Sequence, residues 1–256
     1  MNAKNVAVVG TMIVLACALV SCKPAAEKAS PVADKPDQPP SYEKVEPQQP
    51  PEETPAPPGR MRLAIKLPEP KFIGTPKDIV ASNLEAPRNG KPRPAIIVPA
   101  GCDQVISKDR KVTSSDPEPI IGELAFITDG DKEHDSSTYV ELGPGRQWVQ
   151  IDLGKACDIY ALCVWHYHGE ARVYRDVVCQ ISNDPGFSSG VVTVFNNDHD
   201  NSSGLGDGKD KEYIETYEGR PIAVNGVKGR YVRLTSNGNT SNEMNHYTEV
   251  EVYGRP

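Results

Sequence analysis

Apolar and polar residues alternate in short runs through the second half of the chain. Gln147-Trp148-Val149-Gln150-Ile151-Asp152-Leu153 puts every second residue on one apolar face, the period of a half-buried strand. The same reading predicts strands at Trp148–Leu153, Ile159–Tyr167, Val173–Ser182, Val191–Phe195, Tyr213–Thr216, Ile222–Val224, Gly229–Ser236 and Glu249–Tyr253. Turns rich in Gly, Asn, Asp, Ser and Pro separate them, the pattern of an antiparallel sandwich or barrel. No stretch carries three turns of helical period, and no glycine motif for phosphate sits between strand and helix.

Upstream of residue 101 the pattern changes. Arg62-Leu63-Ala64-Ile65-Lys66-Leu67 alternates like a short strand, and Ala95-Ile96-Ile97-Val98 is a second apolar run. Pro68, Pro70, Pro76, Pro87, Pro92 and Pro94 forbid a long helix between them. Residues 60–100 therefore read as an extended, partly ordered arm that packs on a folded domain at 101–256. Residues 22–59 hold eleven of the 24 prolines, mixed with Glu, Lys, Gln and Ala. Such a stretch buries too little apolar surface to offset its ordering entropy, so it reads as a disordered, semi-rigid spacer. A PxxP signalling ligand is the other reading, and it makes little sense outside the cytoplasm.

The first residues form a targeting segment. Lys4 precedes an apolar run from Val6 to Val20. At ~1.5 Å per residue that run reaches roughly 22 Å, short of the ~30 Å hydrocarbon core. It ends in Leu19-Val20-Ser21-Cys22, which resembles a bacterial lipobox. The expectation is a signal peptide at 1–21, acylation of Cys22, and export to the cell envelope with the lipid as the only membrane contact. The competing readings are an ordinary cleaved signal and an uncleaved anchor.

The chain has 28 Lys and Arg against 35 Asp and Glu, a formal net charge of -7. An acidic balance argues against nucleic acid, which needs a basic stripe to neutralise phosphate.

Motifs along residues 101–254 carry a family resemblance. Val112-Thr113-Ser114-Ser115, then Phe126-Ile127-Thr128-Asp129-Gly130-Asp131, then Gln147 to Gly154 resemble the opening of a discoidin-type domain. Val178-Cys179-Gln180-Ile181-Ser182, Gly229-Arg230-Tyr231-Val232-Arg233-Leu234 and Glu249-Val250-Glu251-Val252-Tyr253-Gly254 resemble its later strands. That family includes the coagulation-factor C-type domains and family 32 carbohydrate-binding modules. The resemblance implies an all-β, antiparallel jelly-roll sandwich of the galactose-binding-like kind.

The turn Asp129-Gly130-Asp131 suits a hard cation, because calcium takes six to eight oxygen ligands. The resemblance implies a structural calcium between this turn and Glu249, with Ser136, Ser137 or Thr138 as helpers. The plainer reading is a tight turn and a solvated glutamate. The resemblance also implies a ligand surface in loops at one end of the sandwich. Trp165, His166, His168, Arg146, Asn245, His246 and Tyr247 are its candidates, with Tyr139 and Tyr174 nearby. Sugars call for this mixture of flat rings and planar polar groups. Trp165 also reads as a core residue, and the two histidines as satisfied polar groups or as a metal pair with no third ligand assigned. The acidic loop from Asn196 to Asp210 reads as a glycine-rich surface loop or a second cation site. Cys102, Cys157, Cys163 and Cys179 permit two disulfides or buried free thiols.

No nucleophile elbow, zinc-helix motif or paired-acid motif is visible, so an enzyme is disfavoured. The expected function is a non-catalytic envelope lipoprotein whose domain binds a carbohydrate or cell-surface glycoconjugate. The alternative is an adhesive scaffold for an envelope protein partner.

Overall fold

A computed structural model describes residues 55–72, 76, 78–135 and 138–256. The expected signal peptide, Cys22, the tether up to residue 54, and Ser136 and Ser137 lie outside the described residues.

The alternating segments fold into strands β1 (Arg60–Arg62), β2 (Ile97–Pro99), β3 (Gln104–Val105), β4 (Lys111–Ser114), β5 (Val140–Leu142), β6 (Arg146–Trp165), β7 (Val178–Ser182), β8 (Val192–Asn196), β9 (Arg220–Asn237), β10 (Asn245–Tyr247) and β11 (Glu249–Arg255). A 3-10 turn covers Leu124–Thr128. The main sheet runs β3-β11-β6-β9-β7-β8, with β4 also paired to β6, and every strand pairing is antiparallel. Two further pairs, β5 with β10 and β1 with β2, form the smaller sheets.

The core lies between the inner face of the main sheet and the layer built on β5 and β10. Val149, Ile151, Val232, Leu234, Ile181 and Val252 meet Ile127, Val140, Leu142, Tyr174 and Tyr247 there. This is the all-β antiparallel sandwich that the sequence implied. A second cluster lies on the outer face of β6, where Ala161, Cys163 and Trp165 pack with Tyr253 under Leu63, Ile96 and Val98. The second half of β6 is thus buried on both faces, and its side chains are apolar without alternation.

Four boundaries differ from the sequence reading. Trp148–Leu153 and Ile159–Tyr167 are one strand, β6, because an irregularity between Asp152 and Cys157 absorbs the glycine at position 154. Gly154 takes φ +84, and the strand resumes beyond it. Ile222–Val224 and Gly229–Ser236 are likewise one strand, β9. Asn225 and Gly226 both adopt positive φ inside it, a hairpin signature that here makes a bulge against Tyr160. Tyr213–Thr216 forms no strand; Ile214 makes one isolated bridge to Val173. Val173–Ser182 is strand only from Val178, since Asp176 turns the chain at φ 53.

Candidate functional site

The second half of β6 delivers Trp165 to the outer-face cluster rather than to solvent. Trp165 is fully buried, and its Nε1 donates to the Tyr217 carbonyl at 2.9 Å. Gly219 lies against the indole at φ +61, where an added Cβ would sit 2.7 Å from the ring. Lys132 stands 5.0 Å from the ring centre.

Beyond Trp165 the chain crosses to the opposite layer and carries two histidines inside. His166 Nδ1 pairs with Glu215 Oε2 at 3.0 Å, both side chains being enclosed. Its ring stacks on Tyr174 at 4.3 Å. His168 Nε2 lies 2.8 Å from the Lys132 carbonyl oxygen. His246 Nε2 pairs with Glu141 Oε2 at 2.9 Å across β10 and β5. Burial, with Arg172 and His166 adding, holds the His246 pKa down at about 3.

Asn245 accepts from Ser236 Oγ and the Gly238 amide, and donates to the Gly143 and Gly145 carbonyls. The Tyr247 hydroxyl pairs with Ser236 Oγ at 3.0 Å. Arg146 is exposed and donates to the Ser203 carbonyl. It sits opposite Asn237, whereas Trp165 lies at the far end of β6.

The seven expected ligand residues therefore do not meet in one open site. Trp165, His166, His168, Asn245, His246 and Tyr247 are spent on the interior, and a side chain without exposed surface cannot touch a sugar. The burial of Trp165 follows from the arm that covers β6. His166 and Tyr247 are buried because loop 166–177 folds back over β10.

What those enclosed residues support is a surface group. Tyr139 and Tyr167 are both half-buried, with ring centres 4.9 Å apart. The Arg172 guanidinium lies 4.7 Å over Tyr167 and is held by Glu170 at 2.8 Å. The His246 ring braces both tyrosines from beneath, at 5.7 and 6.1 Å. Burial pushes both tyrosine hydroxyls above their ordinary pKa, so they stay neutral donors. Tyr139 was named from sequence only as a neighbour and Tyr167 only at the end of a strand, and Arg172 and Glu141 carried no signal there. Nothing in the spacing of Tyr139, Tyr167 and Arg172 shows that loop 166–177 converges with the segment that leads into β5.

The expected cation site is only partly assembled: the carboxylate oxygens of Asp129, Asp131 and Glu249 do not gather within 4.8 Å of one another. Glu249 is fully buried at the start of β11. Its Oε2 accepts from the Gly130 amide at 2.8 Å, while Oε1 is enclosed and has no partner. Burial raises the Glu249 pKa to about 9, against the relief given by that one amide. Neighbouring Glu251 is satisfied by Lys132 and by the Tyr253 hydroxyl. Asp129 and Asp131 lie across from Glu249 in a turn held by their own side chains, at 2.8 and 3.0 Å. Leu67 and Pro68 of the arm join this turn around a pocket of about 330 Å³.

A second acidic group brings Asp176 to Asp198 and Asp200 of the 196–210 loop. One oxygen from each lies within 4.8 Å of the others, an arrangement that could hold a metal ion. Asp198 is the buried member, and its two oxygens accept from the Ser202 and Ser203 amides and hydroxyls. The four cysteines of the domain are buried free thiols, the second of the two readings that the sequence left open.

The sandwich is similar in fold to carbohydrate-binding modules. No family model and no curated protein matches the chain. The family 32 carbohydrate-binding module of AlyQ, solved in complex with 4,5-unsaturated mannuronic acid, is 24% identical, covers 57% of this chain and 95% of its own, and has a TM-score of 0.39. Chitosan-binding module 1 from the chitosanase/glucanase of Paenibacillus sp. IK-5 is 23% identical over 59% of this chain and 99% of its own, with a TM-score of 0.43. A family 89 glycoside hydrolase from Clostridium perfringens is 17% identical over 59% of this chain, with a TM-score of 0.45; the match spans 14% of that hydrolase. These are likenesses of fold, and what each binds belongs to that protein.

Proposed function

We propose that residues 101–256 form a non-catalytic carbohydrate-binding module, exported and tethered to the cell envelope through Cys22 and the proline-rich segment. The observation that carries the binding reading is the half-exposed pair Tyr139 and Tyr167 with Arg172 laid over it. Tyrosine rings stack on the C–H faces of a sugar, while a guanidinium and the neighbouring Glu170 carboxylate read its hydroxyls in a shallow, wet site. The non-catalytic reading is supported by His166 and Glu215, whose side chains are 0% and 1% exposed and out of a substrate's reach.

The same proposal includes a structural calcium held by Glu249 with Asp129 and Asp131. Its support is the enclosed, unpartnered Glu249 Oε1, since a buried carboxylate without a cation or donors is costly. A bound calcium supplies charge neutralisation there and implies no reaction.

Isothermal titration of the full chain with oligosaccharides, beside Tyr167→Ala and Arg172→Ala, tests the binding surface. Loss of binding in both variants with an unchanged melting temperature supports it. Unchanged affinity in both would place any sugar elsewhere, and absence of binding to every glycan would favour a protein partner.

A further inference from the structure

His134 and His168 meet beside the Asp129–Asp131 turn, in a pair that the proposed function does not use. His168 follows β6 and is fully buried. Its Nε2 faces the Lys132 carbonyl oxygen at 2.8 Å. A carbonyl only accepts, so Nε2 carries the hydrogen and Nδ1 is left with a bare lone pair. That Nδ1 is enclosed and has no partner, and the same is true of His134 Nδ1. The two rings stand 5.8 Å apart, centre to centre, at 61°.

Leaving a buried acceptor such as His168 Nδ1 without a donor costs about 1–3 kcal/mol, and the enclosed His134 Nδ1 on the neighbouring ring is unpartnered too. A cation shared by the two rings would give both nitrogens a partner. Two imidazoles on one zinc ion, each at ~2.0–2.1 Å from nitrogen to metal, put their ring centres roughly 5–6 Å apart. The observed spacing falls in that range. The hydrogen bond from His168 Nε2 to a backbone carbonyl is also the outer contact that fixes tautomer and ring angle in metal-bound histidines. The Glu215 and Glu133 carboxylates place negative charge near His168, which favours a cation there.

We propose that His134 and His168 clamp a divalent transition-metal ion of the zinc class through their Nδ1 atoms, with water in the remaining positions. Nitrogen donors select this class over calcium, which prefers oxygen. The site is therefore chemically separate from that of Glu249, although the two adjoin.

The test uses the full chain, stripped with chelator and titrated with Co2+, whose visible d–d bands report nitrogen coordination. The expected result is one bound Co2+ with such bands, displaced by Zn2+ and unaffected by calcium. His134 is half-buried, so His134→Ala keeps the fold, checked by its metal-free melting temperature. In that variant Co2+ binding weakens at least as much as the roughly 10–100-fold cost of losing an outer partner. His199→Ala, on the exposed 196–210 loop, and Glu249→Gln leave the bands in place. Absence of the bands from the unmutated chain, or their persistence in folded His134→Ala, overturns the proposal.

Discussion

Glu249→Gln separates a buried carboxylate from the cation that the account places beside it. Burial lifts the Glu249 pKa from 4.5 to about 9 in the metal-free fold. Between those values the folded chain holds a proton that the unfolded chain releases, so stability falls as pH rises. At ~1.4 kcal/mol per unit, the whole interval is worth on the order of 5 kcal/mol. For a domain of this size each kcal/mol moves the melting temperature by roughly 2–4 °C, giving a fall of roughly 10–20 °C between about pH 5 and pH 9. Glutamine fills the same space without a charge to desolvate. The assay is thermal melting of both proteins across that range, in chelator and again in calcium. In chelator the unmutated chain loses stability with pH relative to Glu249→Gln. The subtraction also removes the buried thiols and histidines, which the two proteins share. Calcium raises the unmutated chain more than the variant, which keeps only the Asp176, Asp198 and Asp200 group, and the excess is largest at high pH, where the carboxylate binds without first losing a proton. Parallel curves in chelator, or an equal calcium response in both proteins, would refute the reasoning.

Three further outcomes follow from the geometry. Trp165→Ala removes the indole from the outer-face cluster and destabilises the domain by ~3–5 kcal/mol in chemical denaturation, with loss of the arm's protection from protease; a cost under about 1 kcal/mol would contradict the packing. In the folded chain Cys102, Cys157, Cys163 and Cys179 resist alkylation, and all four alkylate in denaturant without reductant; a disulfide-linked peptide by mass spectrometry would contradict the free thiols. Cys22→Ala moves the protein from the membrane pellet to the soluble fraction of bacterial cells, and continued dependence on detergent would sink the anchor.

The sandwich was legible because β6 carries Trp148-Val149-Gln150-Ile151-Asp152-Leu153 near its start, where Val149, Ile151 and Leu153 are buried in the core and Trp148 and Asp152 stay partly exposed. Its continuation, Ala161-Leu162-Cys163-Val164-Trp165, gives no alternation, because the arm covers the face that the first half leaves open. A sequence reading that weighs strands singly cannot see that cover, and so leaves Trp165 open between the ligand surface and the core, where the structure places it. The Asn225-Gly226 bulge misled for a related reason: positive φ at both residues is demanded equally by a hairpin turn and by a kink within one strand. The site was legible in residue type and not in placement. Aromatic, His and Asn residues do gather in loop 166–177 and around β10. Tertiary packing, however, turns His166, His246 and Tyr247 inward as supports, and leaves Tyr139, Tyr167 and Arg172 at the surface. Glu249 was tied to the Asp129 turn only through what the family resemblance implied, and in the structure its Oε2 accepts from the Gly130 amide of that turn.

The most direct test of the account is a glycan array probed with the full chain, with acidic and neutral polysaccharides, in calcium and in chelator. The account predicts reproducible binding to a set of glycans that is lost in Tyr167→Ala and weakened in chelator. No binding by protein shown to be folded, or binding indifferent to Tyr139, Tyr167 and Arg172, would contradict it.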